Sequence, residues 1–390
     1  MITMVKEMAK KNAMEMIAIR HHLHANPELS YQEFETSKFI QQQLNVWGIS
    51  FQVMATTGVV AIIEGKNPAS RVIALRADMD ALPIQEENTV DYRSKNDGVM
   101  HACGHDVHTT CLLGAAKILQ ETKMEWEGTV KLIFQPGEEK NPGGASLMIA
   151  EGVLQNPSPE RIVALHVHPG LEKGHLSFRG GMAMASADEI YIRLEATGGH
   201  AAAPHLTADP ILVASHIVIA LQQMISRVNN PTRPSVLSIT SIQGGHATNV
   251  IPSEVKLMGT FRAMDEDWRN EAHQKIKDLV TSLSASMGVK ANVHIDVGYP
   301  FVKNDEPLTE KIRGLAADYQ GVSYVHETEL RMGAEDFAYY THHIPGCFFR
   351  LGVRNESAGI VHAVHTPRFD IDESAIELGM GFMAYVGMQG

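Results

Sequence analysis

The chain has 390 residues, of which 44% are hydrophobic, 20% charged and 6% aromatic, a composition that excludes wholesale disorder and a length that favours roughly two domains over one small module. Thirty-three Lys and Arg against 45 Asp and Glu leave a net charge of −12. A negative field repels phosphate backbones and anionic lipid, so neither nucleic acid nor a membrane surface is an expected partner.

Three cysteines, Cys103, Cys111 and Cys347, argue against a disulfide framework and for a reducing compartment, which makes the cytoplasm the expected location. The N-terminal stretch MITMVKEMAKKNAMEMIAIRHH scatters charge among its apolar residues, unlike a signal peptide. No run approaches the roughly 18 apolar residues that span a bilayer. The 20 histidines are the remaining oddity, and they cluster.

In chain order, HHLH at 21–24 reads as a helix end with exposed imidazoles. Ser30 followed by Glu33 reads as a capping box that opens a helix through FETSKFIQQQLNVW, ended by Gly48. VIALR (72–76), TVKLIFQ (129–135) and IVALH (162–166) are nearly continuous apolar runs, as expected of strands covered on both faces of an α/β sheet. Between the first two, residues 107–120 have a helical pattern with Asp106 placed to cap it.

After residue 186 the order of elements changes. A strand at 189–197 precedes a helix at 210–228 with Pro210 in its first turn, then strands at 235–243 and 254–262. Trp268, Ala272, Ile276, Leu279, Val280, Leu283 and Met287 follow the 3.6 period of a second helix, and 291–297 closes with a strand. The order βαββαβ is that of a ferredoxin-like unit. Because α/β patterning resumes with a helix near 307–320, a strand at 347–353 and a last helix from about 372, the expected architecture is a discontinuous α/β domain of residues 1–185 and 299–390, interrupted by an α+β insertion of residues 186–298.

The three strand candidates run into clusters of potential ligands: RADMDALP (76–83), QPGEE (135–139) and HVHP (166–169). In open α/β sheets the carboxyl edge is where ligands bind. HACGHDVH (101–108) precedes a helix, and HAVHTP (362–367) lies far along the chain. Cys103 and His105 offer a thiolate and an imidazole two residues apart, and Glu139, His166 and His365 can add a carboxylate and two imidazoles. Such a set suits zinc or neighbouring transition metals, not calcium or magnesium. Five donors exceed what one tetrahedral catalytic ion needs, so two ions about 3.5 to 4 Å apart is the economical reading. Adjacent side chains point differently, so Glu139 can bind metal while Glu138 stays free as general base for a metal-activated water. A solvated acidic pair in a turn is the plain alternative.

RADMDALP, HACGHDVHTT, FQPGEE, LHVHP, GGHAAAPH, ATNVIP, GTFRA and HTPRF, in this order from about residue 20 to 370, resemble the amidohydrolase branch of the aminoacylase and carboxypeptidase family of two-metal metallopeptidases. That branch includes hippurate hydrolases, indole-acetyl-amino acid hydrolases and N-acetyl-diaminopimelate deacetylases. The resemblance implies a zinc-peptidase-like catalytic domain with a mixed sheet flanked by helices, and an inserted dimerisation or lid domain. It implies two divalent ions per subunit (Zn, Mn, Ni or Co) held by Cys103, His105, Glu139, His166 and His365, with Glu138 as acid/base. The choice of His166 over His168, and of His365 over His362, rests on the motif match. It further implies a homodimer joined through the insertion, in which His200 reaches the partner's site to stabilise an oxyanion. Asn249 and Arg262 would hold the carboxylate of a small N-acyl-amino acid substrate.

Asp78 and, with less weight, Asp80 are candidates to orient ligand histidines. His101 and His108 are candidates for supporting or substrate-contacting groups, and Cys111 and Cys347 read as core residues. GMGFMA (379–384) nominally fits GxGxxA, yet with the chain ending at 390 no βαβ unit follows it, and nucleotide binding is rejected. A cysteine hydrolase using Cys103 and His105 is the first rival, disfavoured because residues two apart rarely reach nucleophile and base geometry. A non-catalytic metal-binding or ligand-sensing protein is the second, and the presence of Glu138 speaks against it.

Overall fold

The continuous apolar runs become strands Val72–Asp78, Thr129–Gln135 and Arg161–Glu172, the first two buried almost from end to end. Burial on both faces is why they lack the alternation of a half-exposed strand. They lie parallel at the centre of an eight-stranded mixed sheet. Its order is Phe51–Met54, Gly58–Glu64, Thr129–Gln135, Val72–Asp78, Arg161–Glu172, Gly346–Arg354, Leu176–Phe178, Val325–Glu327. Gly346–Arg354 extends the parallel set, while Gly58–Glu64 and Leu176–Phe178 pair antiparallel. The register sets Asp78 opposite Gln135 and Arg76 opposite Ala164, so the polar segments that follow all three central strands leave the sheet at one edge. Helices Ile2–Ala25, His105–Glu121 and Ser374–Gln389 pack on one another and share a single core with the sheet. GMGFMA lies inside the last of these helices.

The structure, a computed structural model, describes all 390 residues, which divide into two compact units. The sheet above belongs to the first, Met1–Gly181 with Lys303–Glu329 and Asp336–Gly390; the second is Met182–Val302 with Leu330–Glu335. In the second unit four antiparallel strands take the order Ser235–Gln243, Glu254–Ala263, Asp188–Glu195, Lys290–Val297. Numbered by sequence this is 2-3-1-4, the ferredoxin-like arrangement. Asp188–Glu195 alternates buried and exposed, as a strand with one covered face must. Ile190, Ile192 and Leu194 pack with Val213, Ile217 and Leu221 of helix Pro210–Gln223 and with Trp268, Ile276 and Val280 of helix Glu266–Ser286.

Four expectations need correction. The Ser30–Glu33 capping box does not form: the Glu28 carboxylate accepts the Glu35 and Thr36 N–H groups at 3.2 and 2.8 Å, and Ser30 donates to Asp80 at 2.6 Å. Asp106 is not a cap either, since helix His105–Glu121 begins after Gly104. Its buried carboxylate accepts from Arg20 at 2.9 Å and pairs with His24 at 2.8 Å, charge-assisted bonds stronger than a neutral cap. HHLH does form the end of helix Ile2–Ala25, with His22 exposed, but His24 is fully buried, not exposed as expected. Finally, the 19 residues Pro210–Val228, with mean hydropathy 1.5, are long and apolar enough to span a bilayer by length and composition, although only 28% of that stretch is buried. Its stripe of Val213, Ala214, Ile217, Leu221 and Met224 packs into the core of the second unit.

Candidate metal centre

Each donor arrives on a differently constrained piece of backbone. His105 is the first residue of its helix, and Gly104 before it has φ +87°; a Cβ there would lie 2.4 Å from Val167 Cγ2. Only glycine permits that left-handed turn against the strand that carries His166. Glu138 and Glu139 follow strand Thr129–Gln135 after Pro136 and Gly137. His365 has φ +62°, uncommon for a residue with a Cβ, and its N–H is tied to Ala102 O at 2.8 Å. Backbone strain of this kind costs roughly 1 to 3 kcal/mol and tends to mark sites where geometry is functional.

The donors converge. Cys103 Sγ lies 3.5 Å from His166 Nε2 and 3.3 Å from His365 Nε2, and His365 Nε2 is 3.2 Å from Glu139 Oε1. His105 Nε2 stands 3.9 Å from Glu139 and 4.0 Å from Glu138. Of five donor triplets whose ligand atoms all lie within 4.8 Å of one another, two share Cys103: Cys103 with His105 and His166, and Cys103 with Glu139 and His365; the others are Asp78 with His105 and His108, His105 with Glu138 and Glu139, and Glu138 with Glu335 and Asp336. His168 and His362 belong to none of them.

Hydrogen bonds aim the ring nitrogens. His105 Nδ1 bonds Asp80 at 3.2 Å, and His166 Nδ1 donates to Val167 O at 2.7 Å, so in both rings Nε2 faces the site as a ligand must. Asp80, rather than Asp78, is thus the carboxylate that orients His105. His108 spends both nitrogens: Nδ1 donates to Asp78 at 2.6 Å and Nε2 accepts the Val167 N–H at 2.9 Å. That leaves it no lone pair for a cation. Asp78 also accepts from Arg76, which is itself fully buried and bonded to Gln135 and Asp336. Sequence reading missed Arg76, Arg20 and His24, whose neighbours in sequence give no sign of their partners.

The electrostatics fit a cation. His105 Nε2 is buried without a hydrogen-bond partner, and an orphaned polar atom is costly unless something coordinates it. Burial pushes the His166 imidazole well below its usual range, helped by His108 and Arg350, so it stays neutral as ligation requires. Burial would also lower His105, but Asp78 and Cys103 outweigh it and hold the ring well above its usual value. Hydrogen bonds that His365 donates to Cys103 and Glu139 push it up to about 10. Acidic groups that draw protons onto two imidazoles in this way would receive a divalent cation in their place. Cys111 and Cys347 are different: both are fully buried in the core, and burial raises both thiols, Cys347 to about 12.

His200, Asn249 and Arg262 belong to the second unit. There, Gly199–His200 and Val250–Ile251 form a two-stranded ladder in which Val250 faces His200, and Asn249 O accepts the Ala201 N–H at 3.0 Å. His200 is exposed, and its Nδ1 accepts the Ala202 N–H at 3.0 Å, which makes Nε2 the protonated, donating nitrogen. Arg262, partly buried on its strand, donates from Nε to Thr260 at 3.2 Å.

Soft and imidazole donors at the carboxyl edge of a mixed α/β sheet, beside a second carboxylate, define a metal-dependent hydrolase. The chain belongs to Peptidase family M20/M25/M40, which residues 74–389 match. It is 41% identical over 363 residues to the N-acetyl-L-cysteine deacetylase of Bacillus subtilis, covering 93% of this chain and 85% of that protein. An IAA-amino acid hydrolase of Arabidopsis thaliana is 39% identical over 375 residues, with 95% and 84% covered. Among solved structures, a dinuclear metal binding peptidase of the M20 family from Bacillus subtilis has a TM-score of 0.83 at 34% identity, covering 97% of this chain and 98% of its own. The family resemblance expected from the motifs therefore holds: the protein is an enzyme of a metal-dependent amidohydrolase and peptidase family.

Proposed function

We propose that this hydrolase cleaves the amide bond of N-acyl-amino acids with a metal-activated water. The observation that carries the reading is the pair of donor triplets sharing Cys103 with Glu138 beside them, and the likeness to an N-acetyl-L-cysteine deacetylase supports the substrate class. Cys103, His105, Glu139, His166 and His365 would hold two divalent ions, Zn, Mn, Ni or Co. When bound, such ions acidify a water and polarise the acyl carbonyl.

Glu138, nearly buried, takes the proton from the attacking water and returns it to the leaving nitrogen. His200 of the partner subunit donates from Nε2 to the developing oxyanion, while Asn249 and Arg262 hold the substrate carboxylate. No residue forms a covalent bond to substrate. The second unit serves as dimerisation and lid domain, and its helix carries exposed Ile211, Leu212 and Ile219 that suit a contact with a second copy. Three free thiols fit a reducing cytoplasm.

A panel of acetyl, benzoyl and longer acyl amino acids, assayed on metal-quantified protein, tests the substrate class; turnover of peptides with free amino ends alone would refute it. Chelation is expected to abolish activity and added Zn, Mn, Co or Ni to restore it, whereas indifference would favour a thiol nucleophile. His200→Ala is expected to cost about 10²- to 10³-fold in kcat. Mixing His200→Ala with Glu138→Gln should recover activity in hybrid dimers, and failure after verified subunit exchange would place the donor in cis.

A further inference from the structure

Glu33 reads in sequence as half of a capping box, yet its carboxyl caps no helix. It is wholly buried: Oε1 accepts the Gly137 N–H at 2.8 Å and the Tyr31 N–H at 2.9 Å, and Oε2 accepts the Thr57 hydroxyl at 2.9 Å. Gly137 immediately precedes Glu138. The next two N–H groups, of Glu138 and Glu139, go to Asp80 at 3.1 and 3.0 Å. Three successive amides of the loop thus end on two buried carboxylates.

Contact between Tyr31 and the loop is as close as packing allows. Gly137 has φ +60°, and a Cβ on it would lie 2.2 Å from Tyr31 Cε1. Farther along, the Tyr31 hydroxyl donates to Lys140 O at 2.5 Å and accepts the Gly143 N–H at 3.0 Å. The segment from Tyr31 to Glu33 therefore grips the loop on both sides of the Glu138–Glu139 pair.

We infer that Glu33 is a positioning residue, fixing the backbone from which Glu138 reaches the reacting water. The inference rests on the reading of Glu138 as base. Asp80 shares the task but also holds His105 and Ser30, so its loss would disturb a metal ligand as well. The three bonds of Glu33 serve only this segment, Thr57 and the loop. Burial, with Asp80 nearby, pushes its carboxyl up to about 7, and an apolar residue would be cheaper to bury were the loop not held by it.

Glu33→Gln keeps Oε1 for both amides and lets its NH2 donate to the Thr57 hydroxyl, while Glu33→Ala removes all three bonds. On metal-quantified protein, Glu33→Ala is expected to lower kcat about 10- to 100-fold, the cost of misplacing a reacting group by about an ångström. KM and bound metal stay within about threefold, and Glu33→Gln stays within about threefold of wild type in kcat. In a Glu138→Gln background the same Ala substitution should add less than about threefold, because residues acting as one unit are not additive. Unchanged kcat in Glu33→Ala, an equal loss in both backgrounds, or a loss of metal instead of kcat would each overturn the role. Retained activity in Glu138→Gln alone would overturn the base and leave the Glu33 result readable on its own. Should Glu33→Ala not fold, Thr57→Val loosens the same carboxylate; a kcat loss of about 2- to 10-fold is expected from one missing hydrogen bond, and no loss overturns the role.

Discussion

Replacing Glu138 by Gln is expected to lower kcat by about 10²- to 10⁴-fold, the usual contribution of a general base, which corresponds to about 3 to 5 kcal/mol of barrier. The amide keeps the volume of the side chain, which is 7% exposed, and can still accept the Asp336 N–H at 3.4 Å. What it cannot do is take a proton from water. Glu138 stands outside the two triplets that share Cys103 but also groups with His105 and Glu139 and with Glu335 and Asp336; because it acts as a base and not a ligand, its loss should leave the metal content close to that of the wild type. Kinetics on protein of known metal stoichiometry give the result directly: activity retained with full metal removes Glu138 from the mechanism, and metal lost together with activity makes it a ligand.

The second large effect is expected at Cys103. Its sulfur stands in two donor triplets, whereas His166 stands in one of them and His365 in the other. Cys103→Ala should therefore abolish binding of both ions, while His166→Ala and His365→Ala should each leave one. The thiol is buried, and burial together with Glu139 raises it when no cation is present, so binding should release a proton and tighten as pH rises. Metal counted per chain after exhaustive dialysis distinguishes the variants. Two ions retained by Cys103→Ala would refute the shared sulfur, and one ion in all three variants would make the centres independent.

Reading the composition and motifs alone was enough to reach the family, the types of donor and the order of elements. Strands Val72–Asp78 and Thr129–Gln135 announce themselves because a strand covered on both faces has no polar positions to spare. Cys103, His105 and Glu139 were legible as chemistry because a thiolate, an imidazole and a carboxylate in clustered polar segments suit a transition metal, whereas the choice of His166 over His168 and of His365 over His362 came from the motif resemblance. In the second unit, the buried positions Trp268, Ala272, Ile276 and Val280 follow the helical period that was read for them, while Leu279, Leu283 and Met287 are only partly buried.

What could not be read was the choice of partner. His108 and His105 lie three residues apart on one helix, yet one spends both nitrogens on Asp78 and Val167 while the other keeps Nε2 free. Asp106 and Glu33 sit where capping residues belong and are turned inward to Arg20, His24 and Gly137 instead. Local sequence determines which backbone conformations and which functional groups are on offer. A buried hydrogen bond, however, goes to whichever donor the fold brings within about 3 Å, and for Asp106 and Arg20 that partner is 86 residues away. Tertiary structure alone decided those pairings, because leaving a buried polar group unpaired costs more than any local capping preference gains.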